Sequence, residues 1–126
     1  MPYRITVIND DEPFLELMQT LLEETGYDVD LLRESTKAHG RVKDLKPDAI
    51  VLDLRMEKPD TGWQLLELLR LDPDLATVPV ILCSADVTRL HERQQALAAH
   101  NCRVLDKPFH LDELLGVLRE ILPSPV

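Results

Sequence analysis

Apolar residues recur along this chain in two alternating rhythms. Short runs of Val, Ile and Leu are separated by stretches whose apolar positions fall three and four apart. Arg4–Asn9 (R-I-T-V-I-N) predicts a strand. Glu12–Thr25 predicts a helix, with Phe14, Leu15, Met18, Leu21 and Leu22 on one stripe. Pro13 suits its first turn and Gly26 its C-terminal cap. Tyr27–Leu32 reads as a weaker strand, and Ser35 can cap a helix that runs to about Leu45 and stops before Pro47. Ala49–Leu54 (A-I-V-L-D-L) is apolar except at Asp53, which fits a central strand covered on both faces. Thr61 or Gly62 opens a helix carrying Leu65, Leu66, Leu68 and Leu69. Val78–Cys83 predicts a fourth strand, Val87 to about Ala99 a helix closed by Asn101, and Cys102–Leu105 a fifth strand. The last helix, Leu111–Leu122, places Leu111, Leu114, Leu115, Leu118 and Ile121 on one face.

Strand and helix thus alternate five times. Right-handed crossovers turn that pattern into an α/β fold, a parallel sheet with helices on both faces. One domain over residues 1–122 accounts for the pattern, and 123–126 (P-S-P-V) reads as a tail or the start of a linker. In sheets of this kind functional residues gather at the carboxyl ends of the strands. Strand one ends in Asp10-Asp11, strand three at Asp53, strand four at Ser84 and strand five at Lys107-Pro108. Taken singly, Asp11 could be a helix-start residue, Ser84 a turn residue and Lys107 a solvated charge. Asp53 is harder to explain that way, because an unpaired carboxylate ending a buried strand is costly.

Composition narrows the choices. The 126 residues carry 14 Lys and Arg against 23 Asp and Glu, a net charge of -9. That argues against nucleic acid or an anionic membrane as a partner of this domain. No apolar run is long enough to span a membrane, and the N-terminus reaches Asn9-Asp10-Asp11 too early for a signal-peptide core. Cys83 and Cys102 therefore fit free thiols in a reducing cytoplasm. In neighbouring parallel strands they would lie at opposite ends, too far apart to bridge. The four glycines build no G-x-G-x-x-G motif or P-loop, and no C-x-x-C or zinc-protease motif occurs. His39, His91, His100 and His110 are scattered and read as surface residues.

The edge chemistry follows from charge. Two carboxylates about 4 Å apart repel by roughly 1–4 kcal/mol. Asp10, Asp11 and Asp53 are expected to gather around a cation, and an all-oxygen acidic site suits Mg²⁺. Mg²⁺ held this way usually helps bind a phosphoryl group, and a carboxylate can serve as the nucleophile.

The ordered set Asp10-Asp11, Asp53 after an apolar strand, Ser84-Ala85 and Lys107-Pro108-Phe109 resembles the receiver domain of two-component response regulators, of the chemotaxis-regulator type. The resemblance spans Tyr3 to Leu122 and implies a flavodoxin-like (βα)5 fold with strand order 2-1-3-4-5. It further implies that Asp53 takes phosphate from the phosphohistidine of a sensor histidine kinase or phosphotransfer protein. Asp10, Asp11, Asp53 and the backbone carbonyl of Arg55 would hold Mg²⁺. Lys107, ahead of a cis peptide to Pro108, would pair with the phosphate, and Ser84 would swing to bond it. Such a chain is a signalling switch, not an enzyme, beyond its own phosphotransfer and slow dephosphorylation. Its output is binding of a downstream protein or a homodimer through the fourth helix, fifth strand and fifth helix. That face carries Arg89, Arg93, Arg103, Asp112 and Glu113.

Three departures from the family stand out. Glu57 replaces a usual proline, and Gly62 comes one residue late, so the loop after the third strand is longer. The segment from Ser84 to Lys107 is also about one residue longer than is common in the family. Val104 replaces an aromatic whose swing normally accompanies activation, so the response to phosphate is expected in residues 84–90. Two other readings are a degenerate receiver used only for docking and an aspartate-nucleophile phosphohydrolase. The latter looks like Asp-x-Asp, but Arg55 stands two residues after Asp53.

Overall fold

A computed structural model describes residues 3–34, 37–53, 61–84, 102–106 and 110–122. Five strands, β1 (Arg4–Ile8), β2 (Asp28–Leu32), β3 (Ala49–Asp53), β4 (Val80–Ser84) and β5 (Cys102–Asp106), form one sheet. Every pairing is parallel and the order is β2-β1-β3-β4-β5, as the resemblance implied.

Period-two alternation sends successive side chains to opposite faces. Ile5, Val7, Ala49, Val51, Ile81, Cys83 and Leu105 enter one core with Leu15, Met18 and Leu22 of α1 (Glu12–Thr25) and Leu114, Leu115 and Leu118 of the C-terminal helix (Leu111–Ile121). Ile8, Ile50, Leu52, Val80, Leu82 and Cys102 enter the other core with Val42 of α2 (Ala38–Leu45) and Trp63, Leu65, Leu66 and Leu69 of α3 (Thr61–Leu71). All five residues of β3 are buried, which explains why its pattern is continuous rather than alternating. Leu68, expected on the α3 stripe, is instead 51% exposed.

Several boundaries differ from the sequence expectation. Asn9 lies just past β1, and β2 begins at Asp28 rather than Tyr27. Helix α2 begins at Ala38, after Lys37 in a left-handed conformation (φ 64°); Ser35, its expected cap, lies outside the described residues. Strand β4 begins at Val80 rather than Val78 and runs to Ser84. Pro79 has no N–H to give a ladder, and the groups of Val78 are engaged elsewhere. Its amide donates to the Leu75 carbonyl (3.1 Å), and its carbonyl accepts from Arg70 Nη2 (2.8 Å). Strand β5 reaches Asp106, and the C-terminal helix ends at Ile121 with Leu122 as its cap. The helix expected over 87–99 and the tail lie outside the described residues.

Cys83 and Cys102 are both buried, and no disulfide joins them. In the β4–β5 register Cys102 stands opposite Val80 and Cys83 opposite Leu105, so they occupy opposite ends of the ladder as expected. His39, expected on the surface, is half-buried against Asp72.

Candidate phosphoacceptor site

The carboxyl edge of the sheet is built from the ends of its central strands. Ile8 pairs with Leu52 in the β1–β3 ladder, so the residues that follow, Asn9 and Asp53, emerge side by side. Asp53 also pairs with Cys83 of β4. It is only 7% exposed, a buried carboxylate at the end of an apolar strand. A buried charge needs hydrogen-bond partners. Asn9 supplies one: its Nδ2 donates to Asp53 Oδ2 at 3.1 Å.

Asn9 is itself 1% exposed, and three of its polar groups reach three different parts of the chain. Its backbone N–H donates to the Leu32 carbonyl at the end of β2 (3.1 Å). Its Oδ1 accepts from the Asp11 amide at 2.9 Å, which fixes the turn leading into α1. The sequence reading passed over Asn9. Counting back from the first polar residue after Val7-Ile8 and after Val51-Leu52 would have paired it with Asp53.

Asp10 and Asp11 follow at the same edge, both exposed. Asp11 caps α1: its Oδ1 accepts from the Phe14 amide at 3.3 Å. The helix-start reading of Asp11 therefore describes its present role. Among the described residues no three His, Cys, Asp or Glu side chains converge tightly enough to hold a metal ion. The donor chemistry nonetheless suits a hard divalent cation. Among the described residues the acids at this edge offer carboxylate oxygens, from one buried side chain and two exposed ones within the turn beside it.

Ser84 ends β4 opposite Asp106 of β5, so the backbone brings it to this same edge. Its side chain, together with Arg55, Lys107 and the 85–90 segment, lies outside the described residues. Val104 is half-buried and packs on the α2–α3 side of the sheet. On the β5–C-terminal helix face, Arg103 Nη1 is paired with Glu120 Oε2 at 3.1 Å, so one of the charges expected to meet a partner is engaged within the chain. Among the described residues no helix is long and apolar enough to cross a membrane.

Known proteins show the same frame. The family model of the response regulator receiver domain matches residues 5–119. The chain is 33% identical over 119 residues to the DNA-binding dual master transcriptional regulator RpaA of Synechocystis, covering 94% of this chain and 48% of that protein. It is 34% identical over 122 residues to the response regulator MprA of Mycobacterium tuberculosis, covering 97% of this chain and 51% of that one. The chain thus spans about half the length of these curated relatives. Among solved structures, the receiver domain of the Francisella response regulator 1452 is 29% identical with a TM-score of 0.80, covering 94% of this chain and 95% of that one. The receiver domain of the sensor histidine kinase PA1611 from Pseudomonas aeruginosa, with magnesium coordinated in its active-site cleft, is 23% identical with a TM-score of 0.81. It covers 98% of this chain and all of that one, and it supports the fold. A match over nearly the whole length, a sheet in the order 2-1-3-4-5 and a buried aspartate at the end of its central strand agree: this chain belongs to the receiver domains of two-component response regulators.

Proposed function

We propose that Asp53 is the phosphoacceptor of a signalling switch, loaded from the phosphohistidine of a sensor kinase or a phosphotransfer protein. The observation that carries this reading is the placement of Asp53. A carboxylate ends the innermost strand, nearly buried, at the edge where such sheets do their chemistry. In the transfer, an Asp53 carboxylate oxygen forms a bond to phosphorus as the donor's P–N bond breaks, and the freed imidazole takes up a proton. Little covalent work falls to the protein beyond orienting the nucleophile and balancing charge.

Mg²⁺ supplies charge neutralisation at the phosphoryl oxygens when bound. Asp10, Asp11, Asp53 and the Arg55 carbonyl are its candidate ligands, and Asp11 would leave its cap on α1 to join them. Lys107 would balance the remaining negative charge, and Ser84 would hydrogen-bond the phosphoryl group. The product state would then bind a downstream protein. The test is incubation with acetyl phosphate and Mg²⁺, read by intact mass. Wild type should gain one phosphoryl group and Asp53→Asn none. A gain in Asp53→Asn under identical conditions would sink the assignment.

A further inference from the structure

Asn9 is one of four buried polar or charged residues among those described, with Thr6, Asp53 and Asp72. Its side chain hydrogen-bonds Asp53, the phosphoacceptor of the reading above. Its amide donates to a carboxylate oxygen on one side and accepts from the Asp11 backbone on the other. Two backbone segments that carry the acidic residues are thus tied through one side chain. An amide can do this because it holds both a donor and an acceptor, whereas a carboxylate at the same point could only accept. A second carboxylate here would face Asp53 at close range and repel it.

We propose that Asn9 is a positioning residue for the phosphoacceptor, one that orients the Asp53 carboxylate and, without a cation, ties the turn carrying Asp10 and Asp11 to the end of β3. This rests on the reading of Asp53 given above and adds to it. The amide holds Oδ2 of Asp53 and so fixes the plane of that carboxylate relative to the open edge. It also sets where Asp10 and Asp11 leave β1. The metal is then needed for the phosphoryl group rather than for tying these two segments together.

The test uses Asn9→Ala and Asn9→Asp beside wild type. Phosphorylation by acetyl phosphate is followed across a Mg²⁺ series, and thermal unfolding is followed with and without Mg²⁺. In Asn9→Ala the maximal labelling rate should fall by about tenfold, the scale of one hydrogen bond to a charged group. Asn9→Asp should unfold at lower temperature than wild type without metal. It should gain more from Mg²⁺ than wild type does and reach half-maximal stabilisation at a several-fold lower Mg²⁺ concentration. A purely structural role would lower stability without moving the Mg²⁺ midpoint. If Asn9→Asp matches wild type in both metal-free stability and Mg²⁺ midpoint, the proposal is wrong. The unfolding arm needs no phosphoryl transfer. A wild type that fails to label would therefore overturn the reading of Asp53 while the Mg²⁺ shift still decides for or against Asn9.

Discussion

Asp72 is, with Asp53, one of two buried carboxylates among the described residues, 8% exposed, and it lies away from the candidate site. Its Oδ1 accepts from the Asp74 amide (3.0 Å), and its Oδ2 accepts from His39 Nε2 (2.9 Å) and Lys43 Nζ (3.1 Å). The Asp74 amide foremost, then Lys43 and His39, hold its carboxyl below the usual carboxylate range against the opposing effect of burial. A depressed acid stabilises the fold above its unfolded pKa of about 3.9 and loses that contribution as pH falls through the folded value. Lys43 is raised, mainly by its hydrogen bond to Asp72, and contributes until pH climbs past the ordinary lysine range. Asp72→Asn should therefore be less stable at neutral pH and should show a shallower loss below about pH 4. Urea melts across pH check this, and parallel acid limbs for the two proteins would refute it. Among single residues, Asp53 was legible because a carboxylate interrupts an apolar run. Asn9 and Asp72 were not. An amide after a strand, or an aspartate in L-D-P-D-L, looks like an ordinary turn residue. Asn9 is buried where β1 meets β2 and β3, and Asp72 against His39 and Lys43 of α2.

Elements were legible where their ends carry their own signals. Helix α1 was predicted over its observed span because Asp11, Pro13 and Gly26 mark both ends. Helix α2 was not. It has eight residues, a glycine inside it, and left-handed lysines at both caps, Lys37 and Lys46. Its start is set by packing Ala38 and Val42 into the core rather than by a side-chain cap. Two of the four glycines, Gly40 and Gly26, should answer alanine in opposite ways. Gly40 is exposed within α2, with nothing within 4 Å of an added Cβ. Gly40→Ala should stabilise by about 0.5–1 kcal/mol. Gly26 has equal space but sits at φ 107°, where its N–H caps α1. Gly26→Ala should destabilise by about 1 kcal/mol. Denaturant midpoints of the two variants, moving the same way, would contradict this account.

At the scale of the molecule, the βα alternation was enough to give a parallel sheet with helices on both faces. Strand order was not contained in that pattern and came from the resemblance. Which residues share a layer follows from the order once it is known. The sheet divides the interior in two, and among the described residues the two core clusters share no member.

That division gives the two thiols an experimental use. Cys83 lies in the core beneath α1 and the C-terminal helix, and Cys102 in the core beneath α2 and α3. They are three rungs apart on neighbouring strands, about 10 Å along the strand direction. Oxidation should therefore not join them in the folded chain. Each is instead a native clock for its own side of the sheet. With a thiol reagent in excess, labelling reads how often each layer opens. Because both layers share every strand, the two cysteines should report the same opening free energy, as all-or-none unfolding requires. Faster labelling of Cys102, identified by peptide mapping, would show instead that the α2–α3 side opens alone while the other layer stays closed.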